Sequence, residues 1–150
     1  MLCSASEKRK CSLIKEAMPA QHKIDNDVKL ITTIWYGEAN DTELIDSLLK
    51  YHQEIKSNPD YSSYNEVVDF SKASGFKLST NGIAKLVEIA ASTDIEGVKT
   101  KLAIIVSAPF AYGLARMYEA YRSLKPSVSK EVRVFKTYDE SLEWIIGKHM

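Results

Sequence analysis

The stretch KLAIIVSAPFAYGLARMYEAY, residues Lys101 to Tyr121, decides the fold of this chain of 150 residues. Its first part, Leu102–Val106, is an unbroken apolar run rich in β-branched residues, which is typical of a strand buried on both faces. Pro109 then suits the first turn of a helix, where its missing N–H costs little. Because a doubly covered strand needs helices on both sides of its sheet, the stretch predicts the interior of an α/β domain.

The helix predicted after Pro109 has two faces. Its core face is predicted from the apolar residues that recur at helical spacing, namely Phe110, Leu114, Met117 and Tyr121. Its outer face is predicted to carry the polar side chains of Tyr112, Arg116, Glu119 and Arg122.

The remaining chain alternates between strand and helix patterns. The predicted elements are a hairpin of Gln21–Ile24 and Val28–Tyr36, a helix from Asn40 to about Lys56, a strand Tyr64–Phe70, a loop Ser71–Lys77, a helix after Ser79, the strand Leu102–Val106, the helix Phe110–Ser123, a strand Val132–Phe135, and a helix that starts at Thr137 and stops at Gly147. Leu49 and Ile146 are among the apolar residues predicted to face the core. This order predicts a mixed, mainly parallel sheet with an antiparallel N-terminal hairpin and alternating helices.

Composition narrows the classes of function. The chain is 45% hydrophobic, and its 20 basic residues equal its 20 acidic residues, so no basic face for nucleic acid is indicated. No apolar run approaches a membrane span, and two cysteines, Cys3 and Cys11, lie outside the predicted core. We therefore expect a cytoplasmic protein with a weakly patterned arm at residues 1–17 and a single α/β domain at 18–150.

Three segments carry a resemblance to the SpoIIAA-like group of the STAS superfamily. They are VVDFSKASGFKLSTNGI at 67–83, AIIVSAPFAYGLARMYEAY at 103–121, and EVRVF with DESLEWI near the end. The resemblance implies helices packed on a mixed sheet, an outline shared with the SEC14-like, lipid-binding CRAL-TRIO domains. It implies no established activity and no cofactor.

The resemblance also singles out Ser79. Anti-sigma-factor antagonists of this superfamily carry a phosphorylated serine in an Asp-Ser-Ser-Gly motif that opens the second helix, and Ser79 falls at that position. Lys77, Leu78 and Thr80 stand where the motif has aspartate, serine and glycine. A serine at a helix start is also an ordinary N-cap, so Ser79 has both a phospho-acceptor and a structural interpretation.

Other candidate residues point to contact surfaces. Lys77 beside Ser79, and Tyr112 with Arg116 on the outer helix face, are predicted binding residues, because Arg and Tyr are favoured interface anchors. Small ligands of open parallel sheets bind beyond the carboxyl ends of the strands, where Ser79 is expected. No catalytic set is indicated, and the three histidines lack metal-ligand spacing.

These observations favour a non-enzymatic STAS-like interaction or regulatory module that binds a protein partner or a second copy of itself. The first alternative is a carrier of a small apolar ligand or lipid, by analogy with CRAL-TRIO domains, with a cavity lined by residues such as Phe76, Phe110 and Met117. The second alternative is an enzyme of unidentified type.

Overall fold

The structure, a computed structural model, describes residues 19–95, 97–125 and 130–147. The strands are β1 (Ala20–Asp25), β2 (Leu30–Trp35), β3 (Gly37–Asn40), β4 (Asn65–Asp69), β5 (Ala73–Lys77), β6 (Thr100–Ile105) and β7 (Lys130–Phe135). The helices are α1 (Asp41–Tyr51), which continues as a π-helical turn (His52–Lys56), α2 (Thr80–Ala91), α3 (Pro109–Ser123) and α4 (Tyr138–Ile146), with a short 3-10 turn at Pro59–Tyr61. The predicted arm at residues 1–17 lies outside the described residues.

Five strands form one sheet in the order β1-β2-β4-β6-β7. The hairpin pair β1 and β2 is antiparallel, and the other neighbours are parallel, which confirms the predicted mixed sheet. Strand β6 lies between β4 and β7, and its residues from Leu102 onward are buried, as the opening stretch predicts. The doubly covered strand is therefore confirmed, as is the α/β class that it implies.

Helices cover both faces of this sheet. Helix α4 packs Ile145 against Leu30, Val67, Ala103 and Ile105 on one face. On the opposite face, α3 packs against the alternate residues of β6 and β7, and α1 and α2 pack beside α3. The helix boundaries follow the predicted signals: Asn40, Ser79 and Thr137 are N-caps, Pro109 opens α3, and Gly147 ends α4 with a φ of 72°.

The buried face of α3 differs from the prediction. Its inward arc consists of the buried Ala111, Leu114 and Arg122 and the half-buried Ala115 and Tyr118. The predicted core residues Phe110 and Tyr121 are instead 64% and 38% exposed. Compared with the prediction, the helix is therefore rotated about its axis so that its small residues face the sheet. Alanine side chains let α3 approach the sheet closely, and the larger apolar residues of the adjacent stripe are left outside.

Other local predictions were wrong. The predicted loop Ser71–Lys77 contains strand β5, which pairs with β3 in a separate two-stranded parallel sheet. Leu49 and Ile146, predicted to face the core, are 44% and 49% exposed. Strands of four or five residues that lack an alternating apolar pattern give little sequence signal, because their pairing rather than their composition makes them strands.

Arg122 differs most from its predicted position: its side chain was predicted to face solvent, but it is fully buried. Its Nη1 and Nη2 atoms donate to the two carboxylate oxygens of Asp94, at 3.0 and 2.7 Å. Asp94 follows α2, so this bidentate ion pair joins the end of α2 to the last turn of α3.

We predict that Arg122→Ala will destabilise the fold by roughly 3–5 kcal/mol, because it leaves the Asp94 carboxylate buried without its cation. Arg116→Ala is the matched control on the same helix. Its ion pair with Glu119 is exposed, so the expected loss is below about 1 kcal/mol. Urea unfolding of both variants measures the difference, and equal losses would contradict the buried face assigned to α3.

Candidate functional site

A cavity of about 190 Å³ lies between the sheet and the layer formed by α1, α2 and α3. Its apolar wall consists of large side chains from strands and helices, including Trp35, Phe70, Phe76, Leu48, Ile83 and Ile104. Its polar end is formed by His22, Thr33, Tyr51, His52, Lys56, Glu66 and Lys130. The cavity therefore has an apolar body and a charged end.

Glu66 is the centre of the polar end. It lies at the start of β4, on the same sheet face as Val68, and only 6% of the residue is exposed. Because side chains alternate along a strand, the Glu66 carboxylate points to the sheet face that α1, α2 and α3 cover, at a position that apolar residues usually fill. An unpaired carboxylate there would be very costly, so its partners determine whether the site is stable.

Two cations and a phenol surround the Glu66 carboxylate. The Lys130 ammonium and the Tyr51 hydroxyl each donate a short hydrogen bond to it, and the Lys56 ammonium lies 4.0 Å away. Hydrogen bonds in a π-helical turn run from residue i to i+5, and this wider turn allows Tyr51 and Lys56 to approach the same carboxylate. Lys130 also reaches the hydroxyl of Thr100, at 3.3 Å.

The environment shifts the protonation of this cluster. Burial by itself raises the pKa of Glu66, but Lys130 and Lys56, with the hydrogen bonds, bring that pKa below its ordinary value. Burial, reinforced by the Glu66 charge, raises the pKa of the Tyr51 phenol well above 10.0. Glu66 is therefore ionised and Tyr51 is neutral at physiological pH.

Two imidazoles complete the polar end. His22 Nδ1 lies 2.7 Å from Thr33 Oγ1, and its ring packs on Tyr51 with centroids 5.0 Å apart. Burial lowers the pKa of both His22 and His52, although Glu66 opposes the shift at both. Both rings are therefore uncharged at neutral pH, and the charged groups of the polar end are two ammonium ions and one carboxylate.

Ser79 lies at the other end of the parallel strands, where it caps α2. Its hydroxyl accepts from the Gly82 N–H at 2.9 Å and donates to Asp41 Oδ2 at 2.6 Å, while its own N–H donates to Asp41 Oδ1. Gly82 permits this approach, since a Cβ there would fall 2.1 Å from the Asp41 carboxylate. The N-cap prediction is confirmed. Phosphorylation of Ser79 stays a prediction, and a phosphate there would meet the like charge of Asp41.

The other predicted binding residues have separate partners. The exposed Lys77 ammonium lies 3.6 Å from the Glu38 carboxylate. Tyr112 does not lie on the outer face of α3 as predicted: it is half-buried against the sheet, with the Lys136 ammonium 5.2 Å from its ring centroid. Arg116 pairs with Glu119 at 3.2 Å. None of these residues lines the polar end of the cavity, so their roles in binding stay predictions.

The cavity is lined differently from the prediction. Phe76 lines it, whereas Phe110 is exposed and Met117 packs with the α1–α2 contact instead. The polar end of the cavity was not predicted from the sequence. The available signal was Glu66, a charged residue two positions from Val68 on the inward face of a predicted strand. No sequence pattern connects Glu66 to Lys56 or Lys130, because both partners come from distant elements.

The arrangement defines an α/β protein with a helix-covered sheet and a cavity between that sheet and helices α1–α3. The sequence matches no family model, and no curated protein matches it. Among solved structures, it is similar to an uncharacterized protein of the DUF3478 family, with a SpoIIAA-like fold, from Shewanella loihica PV-4. That likeness has a TM-score of 0.53 at 13% identity and covers 84% of this chain and 91% of that one.

A second similar structure is that of the anti-sigma factor antagonist SpoIIAA in its unphosphorylated form. Its TM-score is 0.49 at 10% identity, with coverage of 86% of this chain and 99% of that chain. The likeness to the DUF3478 structure shows that the chain has a SpoIIAA-like fold, as the resemblance to the STAS superfamily predicts.

Within ranges 19–95, 97–125 and 130–147, no helix has the length and apolar character that crossing a membrane requires. In the same ranges, His, Cys, Asp and Glu side chains form no group of three or more that could hold a metal ion.

We predict that stability falls as the pH drops below about 6.5, because the unfolded chain protonates His22 and His52 near their ordinary pKa while the fold resists protonation. Unfolding by urea at about pH 7.5 and about pH 5.5 measures the change. The double variant His22→Gln/His52→Gln should reduce the difference between the two pH values. A wild-type stability that is equal at both would contradict the burial of neutral imidazoles.

Proposed function

We propose that this protein is a binding module for a small, mainly apolar molecule, which it holds in the cavity between the sheet and helices α1–α3. The observation that carries the proposal is the cavity itself, about 190 Å³ with an apolar wall and a polar end. Apolar pockets with a few convergent polar groups are the usual form of small-molecule sites.

The size of the cavity limits the ligand. A cavity of about 150 Å³ lined by aliphatic and aromatic side chains stays dry and takes up benzene in a well-studied case. The volume found here therefore suits one substituted aromatic ring or a short branched chain, and it is too small for a long-chain lipid. This narrows the carrier alternative to compact ligands.

Helix α3 keeps this volume open. Ala111 and Ala115 line the cavity where a larger side chain would occupy it. Unfilled apolar space costs stability, because the atoms lining it lose dispersion contacts. A ligand that fills the space restores those contacts, which favours binding.

We expect a neutral apolar ligand such as toluene to raise the melting temperature by a few degrees at saturation. The variant Ala115→Leu should abolish that rise, because its larger side chain fills the cavity. Ala84→Leu, at an exposed position of α2 that does not line the cavity, is the matched control and should keep the rise. Thermal unfolding with and without toluene is the measurement. An unchanged toluene effect in Ala115→Leu, or no effect in the wild type, would refute the proposed binding site.

A second candidate function is self-association through the outer face of α3. Leu124 is 77% exposed, and at helical spacing it shares this face with Phe110 and Tyr121. Gly113 and Ala120, between them, would let a second helix approach closely. An interaction module of this kind is the function that the resemblance to the STAS superfamily favours.

Charge on the same helix favours a second copy as the partner. Arg116 and Glu119 lie near the middle of α3, so two antiparallel copies related by a twofold axis would place each opposite the unlike charge of the other. The chain has no net charge, and copies therefore do not repel one another.

Light scattering after size exclusion tests self-association. We expect a dimer for the wild type and a monomer for Phe110→Asp, since the charge would be buried between the copies. Ile146→Asp, a charge placed at a similarly exposed position on α4, should leave the dimer intact. A wild type that stays monomeric at high concentration would exclude this candidate.

A further inference from the structure

The cavity lining carries more positive than negative charge. Among the described side chains at its polar end, Lys56 and Lys130 each carry a positive charge, and Glu66 carries one negative charge. His22 and His52 add no charge at neutral pH, because burial keeps both rings unprotonated. The side chains that line the polar end therefore carry a net charge of plus one, while the nearby Glu54 carboxylate, which also acts on His22, lies exposed outside the lining.

The two lysines are engaged to different degrees. Lys130 is in direct contact with the Glu66 carboxylate and also reaches Thr100. Lys56 lies 4.0 Å from Glu66 and donates to the backbone oxygen of Tyr61 at 2.7 Å. Since an ammonium has three N–H donors, Lys56 has the capacity to donate to an additional acceptor.

Burial lowers the pKa of Lys56, and a bound anion would raise that pKa again. Removal from water lowers the pKa of Lys56, and the neighbouring Lys130 charge lowers it further, while Glu66 opposes both effects. A second negative charge beside Lys56 would offset this cost. The side chain of Lys56 is 11% exposed and that of Lys130 is 15% exposed, so a carboxylate bound between them would lie where water is largely excluded.

We propose that the ligand of this cavity is a monoanion, a small apolar carboxylic acid whose carboxylate pairs with Lys56 while its apolar body lies against Trp35, Phe70 and Phe76. This inference rests on the proposed function, since it names the class of ligand for the same cavity. A single negative charge brings the polar end to neutrality. A cationic ligand would instead add to the excess of positive charge.

A series of three ligands of matched shape tests the inference in the wild-type protein. The series is p-toluate, p-toluamide and p-methylbenzylamine, which place an anion, a neutral amide and a cation on the same apolar ring. Titration calorimetry at about pH 7.5 should give p-toluate an affinity at least about tenfold higher than that of p-toluamide, since hydrogen bonds to charged groups are the stronger ones. The cation should bind most weakly.

Variants of Lys56 test whether this side chain causes the preference for p-toluate over p-toluamide. Lys56→Met should bring the affinity ratio of p-toluate to p-toluamide close to one and leave p-toluamide binding nearly unchanged. Lys56→Arg should keep the preference, because it keeps the charge. Lys50→Met is the matched control, at an exposed position of α1 outside the cavity lining, and should behave as the wild type. If Lys56→Met does not fold, Lys56→Gln takes its place, because the amide carries no charge but can still donate to the Tyr61 carbonyl, and it should show the same loss of preference.

The outcomes separate the two proposals. Equal affinities for the acid and the amide, or tightest binding of the amine, would overturn the anion inference while toluene binding keeps the cavity proposal intact. Loss of the acid preference in Lys50→Met as well as in Lys56→Met would overturn the assignment to Lys56. If neither toluene nor any member of the series binds, both proposals fail.

Discussion

A carboxylate buried in the sheet is the constraint on which the rest of this site depends. Glu66 occupies an inward position of β4, where water cannot solvate its charge, so the fold must supply cations and donors. They come from three separate places, the first strand position of β7, the end of α1 and the π-helical turn after it. One buried charge thereby fixes how the edge strand and the first helix are placed relative to the middle of the sheet.

The same requirement accounts for the shape of the cavity. Long polar side chains that converge on Glu66 occupy the amino end of the parallel strands, and aromatic side chains line the rest. Between these two regions, α3 presents Ala111 and Ala115, which leave volume unfilled. A core that placed larger residues there would be better packed. This interior differs from an ordinary hydrophobic core because it combines unfilled volume with two buried ammonium groups and one buried carboxylate.

Most of the architecture was predictable because it depends on local patterns. The apolar run at Leu102–Val106 and the caps at Asn40, Ser79 and Thr137 each act within a few residues of themselves, and all were found where the pattern indicated. The buried face of α3 was not predictable in this way. Its apolar bulk lies on the stripe of Phe110 and Tyr121, while its core face contains two alanines and a charged residue, Arg122.

The candidate site was harder to predict for a related reason. Glu66 and Lys130 are separated by 64 positions in the sequence, and only the parallel pairing of β4, β6 and β7 brings their side chains together. Ligands of open sheets usually bind beyond the carboxyl ends of the strands, which is where Ser79 was predicted to lie. The charged cluster lies at the amino ends, because the inward-facing carboxylate is the second residue of β4.

Helix α3 relates the two proposed functions to each other. Its inner face, with Ala111, Leu114 and Ala115, lines the cavity, and its outer face carries Phe110 and Leu124 into solvent. A ligand can change self-association only if it binds two positions of this helix with different affinity. The Arg122–Asp94 ion pair joins the last turn of α3 to the end of α2. The first turns of α3 contain both cavity-lining alanines and the exposed Phe110, so a bound ligand and a bound partner would contact the same part of this helix.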